Sequence, residues 1–186
     1  VTEQEQLAPI DTSVVSNMAR VNPDLLHLSY DPENRFSVPH KWYVYGLVYD
    51  KAFFKKSPDD MSLRYIFEEP ARLVSEGLVP VPYKLCMLDD GRDALFITML
   101  YLFGRVFDVS IADIALGKQQ LLKQKKWVEA YTLHSAEYFL FAGITPIALM
   151  SSNYMRKIYA TSKRFAFAIP KEGSMLVVEN LAIPKT

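Results

Sequence analysis

The chain has 186 residues, 50% of them hydrophobic and 13% aromatic, enough apolar material for a sizeable core in one large domain or one and a fraction. Twenty-one basic residues balance 21 acidic ones, so the totals carry no electrostatic footprint for nucleic acid or an anionic lipid surface. Cys86 is the only cysteine, which excludes an internal disulfide, and with three scattered histidines (His27, His40, His134) it gives no metal-ligand spacing. The longest apolar run, Tyr138 to Met150, is short for a bilayer span and holds Gly143 and Pro146, which suits a core segment.

In chain order, Val1 to Leu28 reads as a loop followed by a short helical stretch from Ser13, then a helical turn opened by Asn22-Pro23-Asp24. Asp31-Pro32-Glu33-Asn34 is a turn by composition, and Trp42 to Tyr49, aromatic and β-branched, predicts a strand covered on both faces. A short helix is expected from Asp59 to Glu69, stopped by Pro70, and then a strand from Lys84 to Leu88. Helix Arg92 to Phe103 ends at Gly104. Ser110 or Asp113 opens an amphipathic helix to about Trp127, with Ile111, Ile114, Ala115, Leu121 and Leu122 inward and Lys118, Lys123 and Lys125 outward. A short strand at Glu129 to Leu133, a helical turn at Ser135 to Phe139, a buried strand at Ile144 to Met150, a helix to Thr161 capped by Ser151-Ser152-Asn153, and a strand at Phe165 to Ile169 complete the alternation. Strands separated by helices predict an α/β fold with a mainly parallel sheet.

The chemistry-bearing stretch is Met87-Leu88-Asp89-Asp90-Gly91-Arg92-Asp93, where a buried strand turns into a buried helix. Asp89 or Asp90 caps the helix, and Asp93 sits in its first turn, where the dipole favours negative charge. Capping accounts for one carboxylate or two. Three acids at the mouth of an α/β strand also describe a receptor for a cation. A second isolated acid, Glu179, lies in the strand-like run Met175 to Pro184, where an acid is costly unless it is paired or at a surface.

That closing stretch, Pro170-Lys171-Glu172-Gly173-Ser174-Met175-Leu176-Val177-Val178-Glu179-Asn180-Leu181-Ala182-Ile183-Pro184, resembles the hinge strand of the spermidine/putrescine-binding proteins, the periplasmic receptors of polyamine ABC importers. Three other segments agree in the same order. They are Ala8-Pro9-Ile10-Asp11 with Asn22-Pro23-Asp24-Leu25-Leu26, Tyr30-Asp31-Pro32-Glu33-Asn34-Arg35-Phe36-Ser37-Val38-Pro39-His40-Lys41-Trp42, and Leu88-Asp89-Asp90-Gly91-Arg92-Asp93. The resemblance implies one lobe of a type II periplasmic-binding-protein fold, with a remnant of the first lobe at 1–35 and a second lobe at 36–184 that includes two hinge-crossing strands. Both ends read as cut, so a missing signal peptide says nothing about compartment, and the family implies the periplasm.

The resemblance also implies a monomeric, non-enzymatic receptor without cofactor or bound metal that closes on a polyamine or related cationic amine and presents the closed form to a membrane ABC permease. Asp90 and Asp93 match the pair that grips a terminal amine, and Glu179 matches an acid on an inner one. Ser151 and Val177 stand where the family has tryptophans, a loss of two rings worth about 0.5 to 2 kcal/mol each on a desolvated cation. Tyr154, Tyr138 and Trp42 are the rings that could enter from another direction. Two further readings stay open: a receptor fold for a different solute or a sensor or interaction subunit, and a hydrolase or metal enzyme built on Asp89, Asp90 and Asp93.

Overall fold

The computed structural model describes residues 6–132 and 134–185. Residues 1–5 of the expected first-lobe remnant, Leu133 at the end of one expected strand, and Thr186 lie outside the described residues. In chain order the first elements are β1 (Leu7–Ala8), β2 (Ser37–Asp50), α1 (Lys51–Phe54), α2 (Arg64–Phe67), α3 (Pro70–Ser75), β3 (Leu85–Met87) and α4 (Gly91–Phe103). They are followed by α5 (Ile111–Gln124), β4 (Val128–Tyr131), α6 (Ala136–Phe141), β5 (Ile147–Ser151), α7 (Met155–Thr161), β6 (Phe165–Ala168) and β7 (Leu176–Pro184). The chain divides into two compact units, Val1–Tyr43 with Leu176–Thr186, and Val44–Met175.

In the larger unit the sheet runs β6-β2-β5-β3-β4. It is parallel across β5, β3 and β4, and antiparallel where β2 lies between β5 and β6. The runs Tyr45 to Tyr49 in β2, Leu85–Met87 in β3 and Ile147 to Met150 in β5 are buried throughout, as strands covered on both faces are. Val48, Cys86, Ala148, Met150 and Phe165 from the sheet meet Leu140 and Ile158 from the helices in the core. Burial pushes the Cys86 thiol above its ordinary range, the direction expected of an inert core cysteine.

Two expectations about helices of the larger unit are corrected. Pro70 opens a helix instead of stopping one: the stretch from Asp59 is a 3-10 turn at Pro58–Asp60 and the one-turn α2, and Pro70 is the first residue of α3. Proline has no N–H to lose at that position and its φ is already helical. The second concerns α5, where of the two expected starts Ser110 is the cap, in a reciprocal box with Asp113, but the helix turns the other way. Ile111, Ile114, Ala115 and Leu122 are exposed, Leu121 is half-buried, and the face against the body carries Gly117 and Gln124.

The reason is polar. Gln124 Nε2 and Trp127 Nε1 each donate to the Ile66 carbonyl at 3.0 Å, and Gln120 Nε2 donates to the Phe67 carbonyl at 2.7 Å. These are end carbonyls of α2 that the one-turn helix cannot satisfy itself. A Cβ on Gly117 would lie 2.1 Å from Met99 Cε and 2.8 Å from Leu95 Cδ1, the ends of two flexible α4 side chains that would have to shift to make room for it.

The smaller unit is held by strands and one buried acid. β1 pairs antiparallel with β7, Leu7 opposite Pro184 and Ala8 opposite Ile183, and β7 pairs with β2. Asp31, only 4% exposed, closes the turn after Tyr30: its carboxylate accepts from the N–H groups of Arg35, Phe36 and Ser37 and from the Ser37 hydroxyl, all within 3.0 Å. The helical stretch expected from Ser13 is a series of turns with a 3-10 turn at Met18–Arg20, and Asn22 caps a second one at Pro23–Leu25.

Candidate functional site

Asp90, Asp93 and Ser151 fall in the larger unit, at the C-terminal ends of the parallel strands. β3 ends at Met87, and the chain crosses Leu88 and Asp89 into α4 with Asp90 as its N-cap. Asp90 is extended at φ −141° and ψ 116°, and its Oδ1 accepts from the Asp93 N–H at 2.9 Å. The cap is therefore Asp90, and Asp89 is exposed to solvent. Capping uses one carboxylate oxygen of Asp90 and leaves its charge at the positive end of the helix dipole.

Asp93 is the more enclosed acid, with its side chain 15% exposed. Tyr45 Oη donates to Asp93 Oδ2 at 2.6 Å, a short charge-assisted bond from a tyrosine that is itself buried. Tyr45 lies opposite Ser151 in the β2 to β5 register, and its hydroxyl bonds to Asp93. An aromatic in a strand reads as core, and nothing in the sequence distinguished Tyr45 from its neighbours.

Ser151 ends β5, is 8% exposed, and its Oγ accepts from the Asn153 N–H at 3.3 Å, a local turn cap. Next to it Ser152 Oγ accepts from the Val44 N–H at 3.2 Å, tying the strand end to β2. Of the rings considered as substitutes, Tyr138 is 64% exposed on α6, and Tyr154 is hydrogen-bonded to the His134 ring. Among the described residues no group of three or more His, Cys, Asp or Glu is arranged to hold a metal ion.

Glu179 and Val177 belong to the smaller unit, on β7. Val177 is half-buried, and Trp42, the third candidate ring, is 53% exposed on β2. Glu179 does not stand alone among apolar residues. Lys41 Nζ lies 3.3 Å from its Oε2 and 3.5 Å from its Oε1, and the same ammonium sits 5.7 Å from the centre of the Tyr43 ring. Both side chains are 44% exposed. The signal available in the sequence was a lysine inside an otherwise aromatic strand.

A separate open cavity of about 450 Å³ lies at the other ends of the strands, lined by Asp50, Tyr83, Lys84, Thr145 and Arg164 among others. Its wall is closed by Asp50, which caps α1 through the Ala52 N–H and receives Arg164 Nη2 at 2.6 Å. No helix among the described residues is long and apolar enough to cross a membrane.

No family model matches the chain. It is 25% identical over 196 residues to the putrescine-binding periplasmic protein PotF of Escherichia coli, covering 95% of this chain and 50% of that protein. It is 24% identical over 189 residues to spermidine/putrescine-binding periplasmic protein 1 of Haemophilus influenzae, covering 100% of this chain and 49% of that one. The chain thus spans about half the length of the curated relatives it matches.

Among solved structures, the Treponema pallidum lipoprotein TpPotD superposes with a TM-score of 0.79 at 18% identity, covering 99% of this chain and 56% of that one. The spermidine/putrescine ABC transporter substrate-binding protein PotD of Streptococcus pneumoniae gives 0.77 at 19%, covering 99% and 53%. The chain is a relative of the putrescine- and spermidine-binding periplasmic proteins, and it has the α/β fold of one lobe of a type II periplasmic binding protein.

Proposed function

We propose that the full-length protein is the solute-binding component of an ABC importer and takes a polyamine or a related cationic amine by lobe closure. It works in the periplasm, as a monomer, delivers its ligand to a membrane permease and performs no chemical step. Residues 36–184 form the second lobe, with β2 and β7 as its hinge strands. Asp90 and Asp93 receive a terminal ammonium and Glu179 an inner one.

The observation that carries this reading is a pair of acids at the N-terminus of α4, where β3 ends, in a chain similar along its whole length to polyamine-binding relatives. Physically the pair suits an ammonium. The helix dipole and cap hold two carboxylates at one helix start, and the Tyr45 hydroxyl fixes one of them in place before ligand arrives.

Titration calorimetry of putrescine and spermidine into the full-length protein, at low and moderate salt, tests it. Micromolar or tighter binding that weakens with salt and is lost in Asp90→Asn and Asp93→Asn supports an amine receptor. A folded protein that ignores both amines would instead favour a receptor for a different solute or a sensor, a reading supported by Ser151 and Val177 at the two tryptophan positions.

A further inference from the structure

We propose that the outward face of α5 is a docking surface for an anionic lipid bilayer, on which the larger unit rests. The helix is pinned with its apolar line outward. Gln120, Gln124 and Trp127 bond to the α2 carbonyls from the opposite face, so Ile111, Ala115 and Leu122 are committed to the outside. They fall at i, i+4 and i+11, one line along the helix, with Lys118 at i+7 between them. Ile111 is 87% exposed, and Phe107, in the loop that leads into α5, is 81% exposed. That loop is tied down: the Arg105 guanidinium donates to the Phe107 and Asp108 carbonyls and, at 3.2 Å, to Asp113 Oδ2.

Charge selects the occupant. From Ile114 to Trp127 the chain has Lys118, Lys123, Lys125 and Lys126 and no acidic residue. Among the described residues, lysine ion pairs are made by Lys41, Lys157 and Lys171 and not by these four. Lys84 adds a fifth ammonium, because its Nζ donates to the Lys126 carbonyl at 2.9 Å. The whole-chain balance of 21 basic against 21 acidic residues averages this segment away. Apolar anchors interleaved with unpaired lysines fit phosphate headgroups over hydrocarbon. Phe107, Ile111 and Leu122 enter the headgroup boundary, while the lysine stems lie along it and carry their ammonium groups to lipid phosphate. A second copy of the same face would set its own lysines against these, which like-charge repulsion disfavours.

The test is flotation of the full-length protein with vesicles of phosphatidylcholine alone, or mixed equally with phosphatidylglycerol, at low and moderate salt. Binding to the anionic vesicles should be at least about tenfold tighter than to the neutral ones and should weaken as salt rises. Lys118→Gln/Lys123→Gln/Lys125→Gln should lower it about a hundredfold, on the scale of about fivefold per lysine, and Ile111→Ser/Leu122→Ser about tenfold. All five positions are exposed, so both variants should melt near wild type. Equal binding to the two vesicles, anionic binding that either variant leaves intact, or a wild type that floats with neither overturns the inference. So does a self-associated wild type that Ile111→Ser/Leu122→Ser converts to monomer, since that puts a second copy on the face. The amine site plays no part in the measurement, so either result leaves the proposed function as it stands.

Discussion

Asp90 combines a structural and a charged role, and the two separate by substitution. Asparagine caps a helix about as well as aspartate, so Asp90→Asn keeps the bond to the Asp93 N–H while removing the charge. Its melting temperature should stay near wild type while amine affinity falls about ten- to a hundredfold, the scale of a lost charge-assisted contact. Asp90→Ala should lose both, at about 1 kcal/mol of stability. Asp89→Asn should change affinity less than about twofold, because that side chain is in solvent; equal losses at 89 and 90 in the same calorimetry would refute the assignment. The strand-to-helix turn and its acids were legible in the sequence, since capping chemistry is local. Which of two adjacent aspartates turns inward depends on how β3 leaves the sheet, and no local pattern records that. Tyr45 was hidden for a related reason: a tyrosine is half apolar, and its bond to Asp93, 48 residues on in α4, is made only by the tertiary fold.

The elements themselves followed from the apolar pattern wherever apolar burial decided the outcome, as in the continuous runs of β3, β5 and α4. They departed from it where hydrogen bonding or close approach decided. The apolar stripe of α5 points outward because Gln120, Gln124 and Trp127 are required at the α2 carbonyls. Hydrophobic periodicity has no way to register two glutamines that face inward. Gly46 makes the same point in β2. A Cβ there would lie 2.3 Å from Phe167 Cζ and 2.6 Å from the Ala168 carbonyl oxygen, and the second of these atoms is backbone that cannot swing aside. Gly46→Ala should therefore separate β2 from β6 and cost about 2 kcal/mol or more, as overpacked sites do. Urea unfolding would measure it, and a loss under about 0.5 kcal/mol would mean that the strands yield at little cost.

For the molecule as a whole, the α/β class and the ordered segments of resemblance were readable because alternation and short motifs survive in sequence. The division at Tyr43 and Leu176 was not, since it reflects which strands share neighbours in space. The smaller unit should respond to acid through Asp31. Burial raises the carboxyl of Asp31, but the N–H and hydroxyl donors from Phe36, Ser37 and Arg35 outweigh it and hold the group below its ordinary value of 3.8. A depressed folded value means the stabilisation is complete above about that ordinary value and is lost as pH falls through the lowered one. Proton exchange or limited proteolysis in acid should thus open the turn at 31–37 as Asp31 protonates, and Asp31→Asn should open it already at neutral pH. Persistence of that turn in the variant would rule Asp31 out as its anchor. The attachment of α5 carries a different thermodynamic signature. Ile111 and Leu122 are exposed folded and unfolded alike, so the apolar stripe they form adds little to the heat capacity of unfolding. Cooling weakens apolar packing more than amide bonds, which leaves α5 among the parts of this protein least susceptible to cold.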